Sequence, residues 1–248
     1  MPKLIDSLPS FTRLNEKQRI ELLRLENLKI KWQKENKIES YYPDKGPFRR
    51  ELYKKHMEFF KAGATYRERC FMAANRIGKT EGAGGIEVVY HATGNYPHWW
   101  EGKRFDSPCR IMCSGNTGIT TRDIIQAKLF GNYDDPGEAL LPKASIGDKV
   151  PKSGIPRAFD SVKIKHESGG WSNLFLRSYE SGRKIFEGVE LELFWADEEC
   201  PLDVYSEGLM RMATTGGISM LTFTPLRGLT ELVLSFLGSE FRPPETKK

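Results

Sequence analysis

Long apolar runs are absent from this 248-residue chain. No stretch approaches the ~20 residues that a helix needs to span a bilayer. The opening MPKLIDSLPSFTRLNEKQ also lacks the apolar segment of a secretory leader, so no membrane role is expected and the cytoplasm is the expected compartment. Cysteine is scarce. Cys70, Cys109, Cys113 and Cys200 are too few for a disulfide framework in a chain of this size. Cys109 and Cys113 fall four apart in CRIMC, which reads as a strand, so both are expected on one face. A zinc site would need two more ligands nearby, and His56, His91, His98 and His166 are scattered; buried reduced thiols are the plainer reading. No period repeats along the chain, and the tail RPPETKK is the one low-complexity segment.

What is present is a hydrophobic fraction of 39%, with 11% aromatic residues, enough for a real core, and 29% charged residues. The length suits one large domain, or a domain with a small appendage. The net charge of +5 is unevenly spread: residues 1–70 hold 17 Lys and Arg against 10 Asp and Glu, and the remainder 21 against 23. A basic N-terminal third could meet nucleic acid, or it could be a solvated helical face.

Residues 15–37 place Ile20, Leu22, Leu23, Leu25, Leu28, Ile30 and Trp32 among charges, which predicts an amphipathic helix. YYPDKGPF breaks it, and RRELYKKHMEFFKAG resumes helical spacing up to Gly63. Strands and helices then alternate. RCFMAA, CRIMCSG, ELELFWADEEC and GISMLTFTP read as strands. EGAGGIEVVYHATG, TTRDIIQAKLFG, SEGLMRMATT and LTELVLSFLG read as helices. SVKIKHE and NLFLRSY predict a hairpin around SGGWS. The segment PGEALLPKASIGDKVPKSGIPRAF reads as loop-rich. This alternation predicts an α/β fold with a mainly parallel sheet covered on both faces.

The stretch FMAANRIGKTEGAGG (residues 71–85) resembles a phosphate-binding loop, except that G-x-x-x-x-G-K-[ST] asks for glycine where Ala73 stands. A bare GKT is weak evidence; an ordinary strand-turn-helix with a solvated lysine would look alike. The required context is nevertheless met, with a strand before and a helix after. Backbone N–H groups at such a helix start can receive phosphate. Lys79 would approach the β- and γ-phosphates, and the Thr80 hydroxyl would meet Mg²⁺. Gly78 sits where the backbone passes closest to phosphate. Alanine, the smallest residue with a Cβ, makes the deviation at position 73 a mild one.

Downstream, LELFWADEE ends an apolar strand in Asp197 and Glu198, at the carboxyl edge where α/β sheets bind ligands. Asp197 would orient Mg²⁺. Glu198 would activate water as general base. Glu199 reads as a solvated or helix-capping residue. In SMLTFTP, Thr222 and Thr224 offer hydroxyls suited to sensing phosphate or positioning water, although threonine is common in strands.

Taken with HATGNYP, EGKRF, SYESGRKIFEG, FWADEECPLDVYSEGLMR and SMLTFTPLRG, these residues resemble the large terminase subunit of tailed bacteriophages over roughly residues 53–237. The resemblance implies a three-layer P-loop NTPase of the RecA-like additional-strand (ASCE) class with an N-terminal helical appendage: residues 1–46 as helical segment, 47–240 as ATPase domain and 241–248 as tail. It implies an ATP- and Mg²⁺-dependent motor that moves double-stranded DNA into a procapsid in the host cytoplasm. Gly78, Lys79 and Thr80 match the family's Walker A, which often lacks the first glycine, so Ala73 becomes a family variant. Ala74, Asn75, Arg76, Ile77 and Glu81 complete the expected nucleotide-binding loop. Asp197 and Glu198 match Walker B and the catalytic carboxylate, and Thr222 and Thr224 match the coupling motif. Expected partners are the portal protein, the small terminase subunit and further copies of this chain in a pentameric ring, with a monomer expected for the domain alone.

Arginine is needed to stabilise transition-state charge. Arg76 in the loop and Arg183 in GRKIFEG are the candidates, one in cis and one from a neighbouring subunit; either could instead be structural. The family reads adenine with a glutamine where this chain has His56; a histidine could still donate to a ring nitrogen, or could simply sit on a surface helix, so base selectivity is left open. Lys149, Lys152, Arg157, Lys163 and Lys165 are candidate DNA contacts, or simply an exposed loop. Large terminases also carry a nuclease domain, and no second carboxylate cluster for it is expected in this chain. A helicase-like ATPase or a non-hydrolysing assembly module are the competing readings. A helicase needs a second RecA-like domain, and an inert module has no use for Glu198.

Overall fold

The computed structural model describes residues 15–226 and 228–237. Its described strands are β1 (Glu68–Met72), β2 (Arg110–Gly115), β3 (Ile146–Pro151), β4 (Phe159–Lys165), β5 (Trp171–Ser178), β6 (Leu193–Asp197) and β7 (Ile218–Phe223). They form one sheet in the order β1-β7-β6-β2-β5-β4-β3. The pairs from β1 through β5 are parallel, and β5-β4 and β4-β3 are antiparallel. Parallel strands covered on both faces read as near-continuous apolar runs, and every residue of β6 and β7 is buried, the polar Asp197, Ser219 and Thr222 included. At the antiparallel edge, β5 alternates buried and more open positions, as a strand with one wetter face does.

Helices cover both faces. One layer holds α2 (Lys54–Ala62) and α3 (Ile86–Thr93), followed by α4 (Gly118–Thr120) and α5 (Ala127–Phe130); the other holds α6 (Leu202–Arg211) and α7 (Glu231–Phe236). Strand parity assigns the core residues. Ile111, Cys113, Trp195 and Met220 face the α3 layer, while Met112, Phe194 and Leu221 face α6. Cys109 and Cys113 share the α3-side core, as their spacing predicts, and all four thiols are free. Burial pushes the Cys109 thiol up to about 12.

β7 lies between β1 and β6. One strand is thus inserted between the loop-bearing strand and the acid-bearing strand, the arrangement of the RecA-like additional-strand P-loop fold. The predicted hairpin is present, with Lys165 paired to Trp171 across the turn. The segment read as loop-rich also contains an unexpected strand, β3. That strand is mostly exposed and has no apolar alternation; it exists because its backbone pairs with β4.

The helix read at residues 15–37 is α1 (Glu16–Glu35), started by an Asn15–Gln18 capping box. None of its residues is buried. Ile38 and Tyr42, which follow it, do join the α3-side core. Among the described residues, no helix is long and apolar enough to cross a membrane.

Candidate nucleotide site at the carboxyl edge of the sheet

The loop after β1 departs from the sheet later than the motif suggests. Ala73 still donates its N–H to the Phe223 carbonyl at 3.2 Å, extending the β1-β7 ladder. Its backbone does not enter the left-handed region, so glycine is not required there. The turn is made instead by Arg76 (φ 65°) and Gly78 (φ 85°). At Gly78 a Cβ would also stand 3.2 Å from the His56 ring. Arg76 adopts the same region with a side chain, which costs about 1–3 kcal/mol and concentrates strain inside the loop.

Beyond the loop the chain enters a wide π-helical run, Lys79–Gly85, that leads into α3. Close packing sets its position. A Cβ on Gly84 would lie 2.3 Å from the Trp195 ring, so only glycine lets this helix sit on β6. The Lys79 ammonium donates to the Ala74 carbonyl at 2.7 Å and to Thr224 Oγ1 at 2.9 Å. The Thr80 hydroxyl faces both Asp197 oxygens, at 3.0 and 3.1 Å. The first turn of the loop helix therefore meets the end of β6 and the end of β7 at one point.

Asp197 is buried, and burial pushes its carboxyl up to about 7 against the hydrogen bonds of Thr222 and Thr80; Glu198 adds to the rise and Lys79 opposes it. Thr222 donates to Asp197 Oδ1 at 2.6 Å and accepts from Trp195 Nε1 at 2.8 Å. Thr222 is buried. Its proton is committed to Asp197, so it orients the carboxylate rather than meeting phosphate or water. Thr224, at the strand end, contacts Lys79, the Ala73 carbonyl and Asn75 Oδ1.

Glu198 is half-buried and sits at φ 68°. Its N–H donates to the Thr222 carbonyl at 3.0 Å. Tyr179, missed in the sequence, buries its hydroxyl 2.9 Å from the Ser114 carbonyl and 3.0 Å from that of Asp197, bracing the turn that presents the acid. Arg183 is exposed, 4.0 Å from Asp203 on α6. Arg76 is exposed at the loop's own edge.

Beside the loop lies a cleft of about 590 Å³ lined by Tyr41, Tyr42, Phe48, Tyr53, His56 and Arg76 among others. Glu81 is engaged on three sides: Lys128 at 2.6 Å, Lys37 at 2.7 Å and the Tyr41 hydroxyl. Burial works against its charge, but these donors outweigh it and hold the carboxyl at about 2. His56 is buried under the loop and not set on a surface. Its Nε2 is 3.1 Å from the Ile77 carbonyl and its Nδ1 is 2.5 Å from the Tyr42 hydroxyl. Both ring nitrogens are thus occupied, which leaves no donor to read a base. Tyr42 carries no periodic signal in YYPDKGPF, so the sequence alone does not single it out.

The five candidate DNA contacts do not form one uniform patch. Lys152 is half-buried and donates to the Leu176 carbonyl at 3.0 Å, Arg157 pairs with Asp134 at 2.6 Å, and Lys163 lies 3.6 Å from Asp148. Lys165 stands over the Trp171 ring. Lys149 pairs with Val162 across β3 and β4, so it takes the opposite sheet face to Lys163.

A P-loop-like turn, a hydroxyl-bearing helix start and an acidic strand end, with one strand inserted between the loop strand and the acid strand, place the chain in the additional-strand class of α/β proteins. Residues 70–248 match the family described as terminase large subunit, T4likevirus-type, N-terminal. The chain is also 33% identical over 244 residues to the terminase large subunit of Salmonella phage P22, covering 90% of this chain and 47% of that protein. It belongs to the terminase large subunit family, and spans about half the length of that curated relative. A solved structure of the large terminase from the thermophilic bacteriophage D6E in complex with ADP is similar with TM-score 0.45 and 13% identity, over 77% of this chain and 38% of that one.

Proposed function

We propose that this chain is an ATP-hydrolysing motor domain that drives double-stranded DNA into a procapsid. The observation that carries the reading is the convergence at one sheet edge of Lys79, which donates to Thr224 at 2.9 Å, and Thr80, which lies 3.0 and 3.1 Å from the Asp197 oxygens. Backbone N–H groups at the start of the Lys79–Gly85 run receive the phosphates. Lys79 moves from Ala74 and Thr224 to the β- and γ-phosphate oxygens. Base and ribose occupy the cleft beside Tyr41 and Tyr53.

A divalent cation would rest on the Thr80 hydroxyl and the Asp197 carboxylate, which already meet at 3.0 and 3.1 Å, and on ligand oxygens. This all-oxygen set fits Mg²⁺, which keeps several waters. When bound, it neutralises phosphate charge. Glu198 takes the proton of the attacking water as the new O–P bond forms and the β,γ-bridging bond breaks. Arg76 in cis and Arg183 from a neighbouring copy stabilise the developing charge. Thr224, touching both Lys79 and Asn75, relays the change in the loop to β7. Of the five basic candidates, Lys163 and Lys165, exposed on one face of β4, contact DNA phosphates without sequence readout. The motor works as a ring of this chain on the portal, with the small terminase subunit, in the host cytoplasm.

The deciding measurement is ATP turnover with Mg²⁺, with and without linear duplex DNA, for the wild type and Glu198→Ala. Turnover that DNA stimulates, and that falls by about 10²-fold or more in the variant, is expected. Full turnover in Glu198→Ala would sink the assignment of the base, and no turnover by the wild type at any protein concentration would sink the motor reading.

A further inference from the structure

The phosphate loop is held from below by two side chains that the nucleotide chemistry itself does not require. His56 Nε2 faces the Ile77 carbonyl, immediately before Gly78. Tyr42 donates its hydroxyl to the Gly82 carbonyl at 2.6 Å, two residues past Thr80. The two side chains meet each other at 2.5 Å. A single buried pair therefore grips the chain on both sides of Gly78-Lys79-Thr80.

Proton bookkeeping constrains this pair. A carbonyl can only accept, so the His56 hydrogen lies on Nε2, toward Ile77. Burial favours the neutral ring, and its Nδ1 then accepts. The single Tyr42 proton is shared between that nitrogen and the Gly82 carbonyl. No hydrogen of the pair is left over for a ligand.

Packing is equally tight. A Cβ on Gly82 would stand 3.1 Å from both the His56 ring and the Tyr42 hydroxyl oxygen. Tyr42 reaches this position only by taking φ 54°. Arg50 sustains that backbone, donating to the Tyr42 carbonyl at 3.1 Å while it also pairs with Asp44. Strain at a non-glycine residue persists where the surroundings over-determine it. Here the surroundings are the loop.

We propose that Tyr42 and His56 are positioning residues of the phosphate loop: they fix the carbonyls of Ile77 and Gly82 so that the N–H groups between them converge on a phosphate chain. The site then recognises its ligand by the polyphosphate, and position 56 contributes nothing to the choice of base. This rests on the nucleotide reading above.

The test uses direct calorimetric binding, without turnover, of ATP, GTP and inorganic tripolyphosphate to the wild type and to Tyr42→Phe, His56→Leu and His56→Gln. Melting temperatures without ligand identify variants that fail to fold. Tyr42→Phe keeps the ring and loses one hydroxyl, so it is the variant that keeps the test open if His56→Leu does not fold. Tyr42→Phe and His56→Leu are expected to weaken all three ligands in parallel by about five- to tenfold. His56→Gln, which retains a donor for the Ile77 carbonyl, is expected to recover most of the tripolyphosphate affinity. Unchanged tripolyphosphate affinity in a folded Tyr42→Phe, or a loss confined to ATP, would overturn the clamp. A wild type that binds none of the three would instead overturn the nucleotide reading, and a wild type that binds but does not hydrolyse ATP would overturn the motor while leaving the clamp standing.

Discussion

Thr80 and Asp197 are 117 positions apart in the chain, yet the Thr80 hydroxyl lies 3.0 Å from one Asp197 oxygen and 3.1 Å from the other. The contact exists because β7 supports β6 on one side while the loop helix packs against the Trp195 ring on the other. Asp197 is thereby aimed by neighbours and not by its own strand alone.

Thr222→Val tests that aiming. The valine has nearly the same shape but neither donates to Asp197 nor accepts from Trp195 Nε1. On the cation-holding role proposed for Asp197, loss of this outer partner should lower metal affinity or activity by about 10- to 100-fold. Titrating turnover against Mg²⁺ should show this as a raised Mg²⁺ requirement, with the fold retained. An unchanged titration would mean that Thr222 only fills space.

Gly84→Ala should destabilise. Alanine in a helix interior would by itself gain about 1 kcal/mol over glycine. The new Cβ, however, would fall 2.3 Å from the buried Trp195 ring, and overpacking costs about 1–3 kcal/mol. The clash wins because neither helix nor strand can retreat without breaking the Thr80–Asp197 contact. Denaturant midpoints should fall in Gly84→Ala and recover in part when Trp195→Phe is added; purely additive effects would argue against the contact.

Arg69 and Glu87 join β1 to α3 inside the core, with side chains only 3% and 0% exposed and contacts of 2.6 and 3.0 Å. Burial opposes the Glu87 charge, and Arg69 together with His91, whose Nε2 lies 3.1 Å from Glu87 Oε1, outweighs it. Removing one partner leaves a buried charge uncompensated, so Glu87→Gln should lose about 3–5 kcal/mol in chemical denaturation. The double change Arg69→Met, Glu87→Leu should lose less than Glu87→Gln does.

Glu81 links stability to pH. Its carboxyl is held at about 2, below the ordinary 4.5. A depressed value contributes stability that is fully present above 4.5 and is lost as pH falls toward 2. The gap in unfolding midpoint between the wild type and Glu81→Gln should therefore be constant above about pH 5 and close progressively on acidification. A gap independent of pH would remove Glu81 from the ionised network with Lys37 and Lys128.

The two arginines separate by concentration. Turnover per chain that rises with protein concentration and vanishes in Arg183→Ala would support a finger offered between copies. A flat profile abolished by Arg76→Ala would favour the strained loop arginine in cis.

Gly78-Lys79-Thr80, the acids at 197 and 198, and the TFT strand are legible in the amino-acid sequence, because phosphate and metal chemistry demand particular residue types at short, ordered spacings. The parallel core is legible too, since strands buried on both faces read as near-continuous apolar runs. β3 is not. Its positions are mostly exposed, and what makes it a strand is its partner β4, not its own pattern. The roles of Ala73, His56, Tyr42 and Trp195 are equally hidden. Ala73 needs no glycine conformation because Phe223 still holds its N–H. His56 is held beneath the loop by Tyr42, which reaches it from within the break after α1. Local sequence carries backbone preference and the chemical identity of each side chain. Only tertiary approach decides which hydroxyl spends its proton on which acceptor, and that choice makes Thr222 a support for Asp197 and leaves Thr224 beside Lys79.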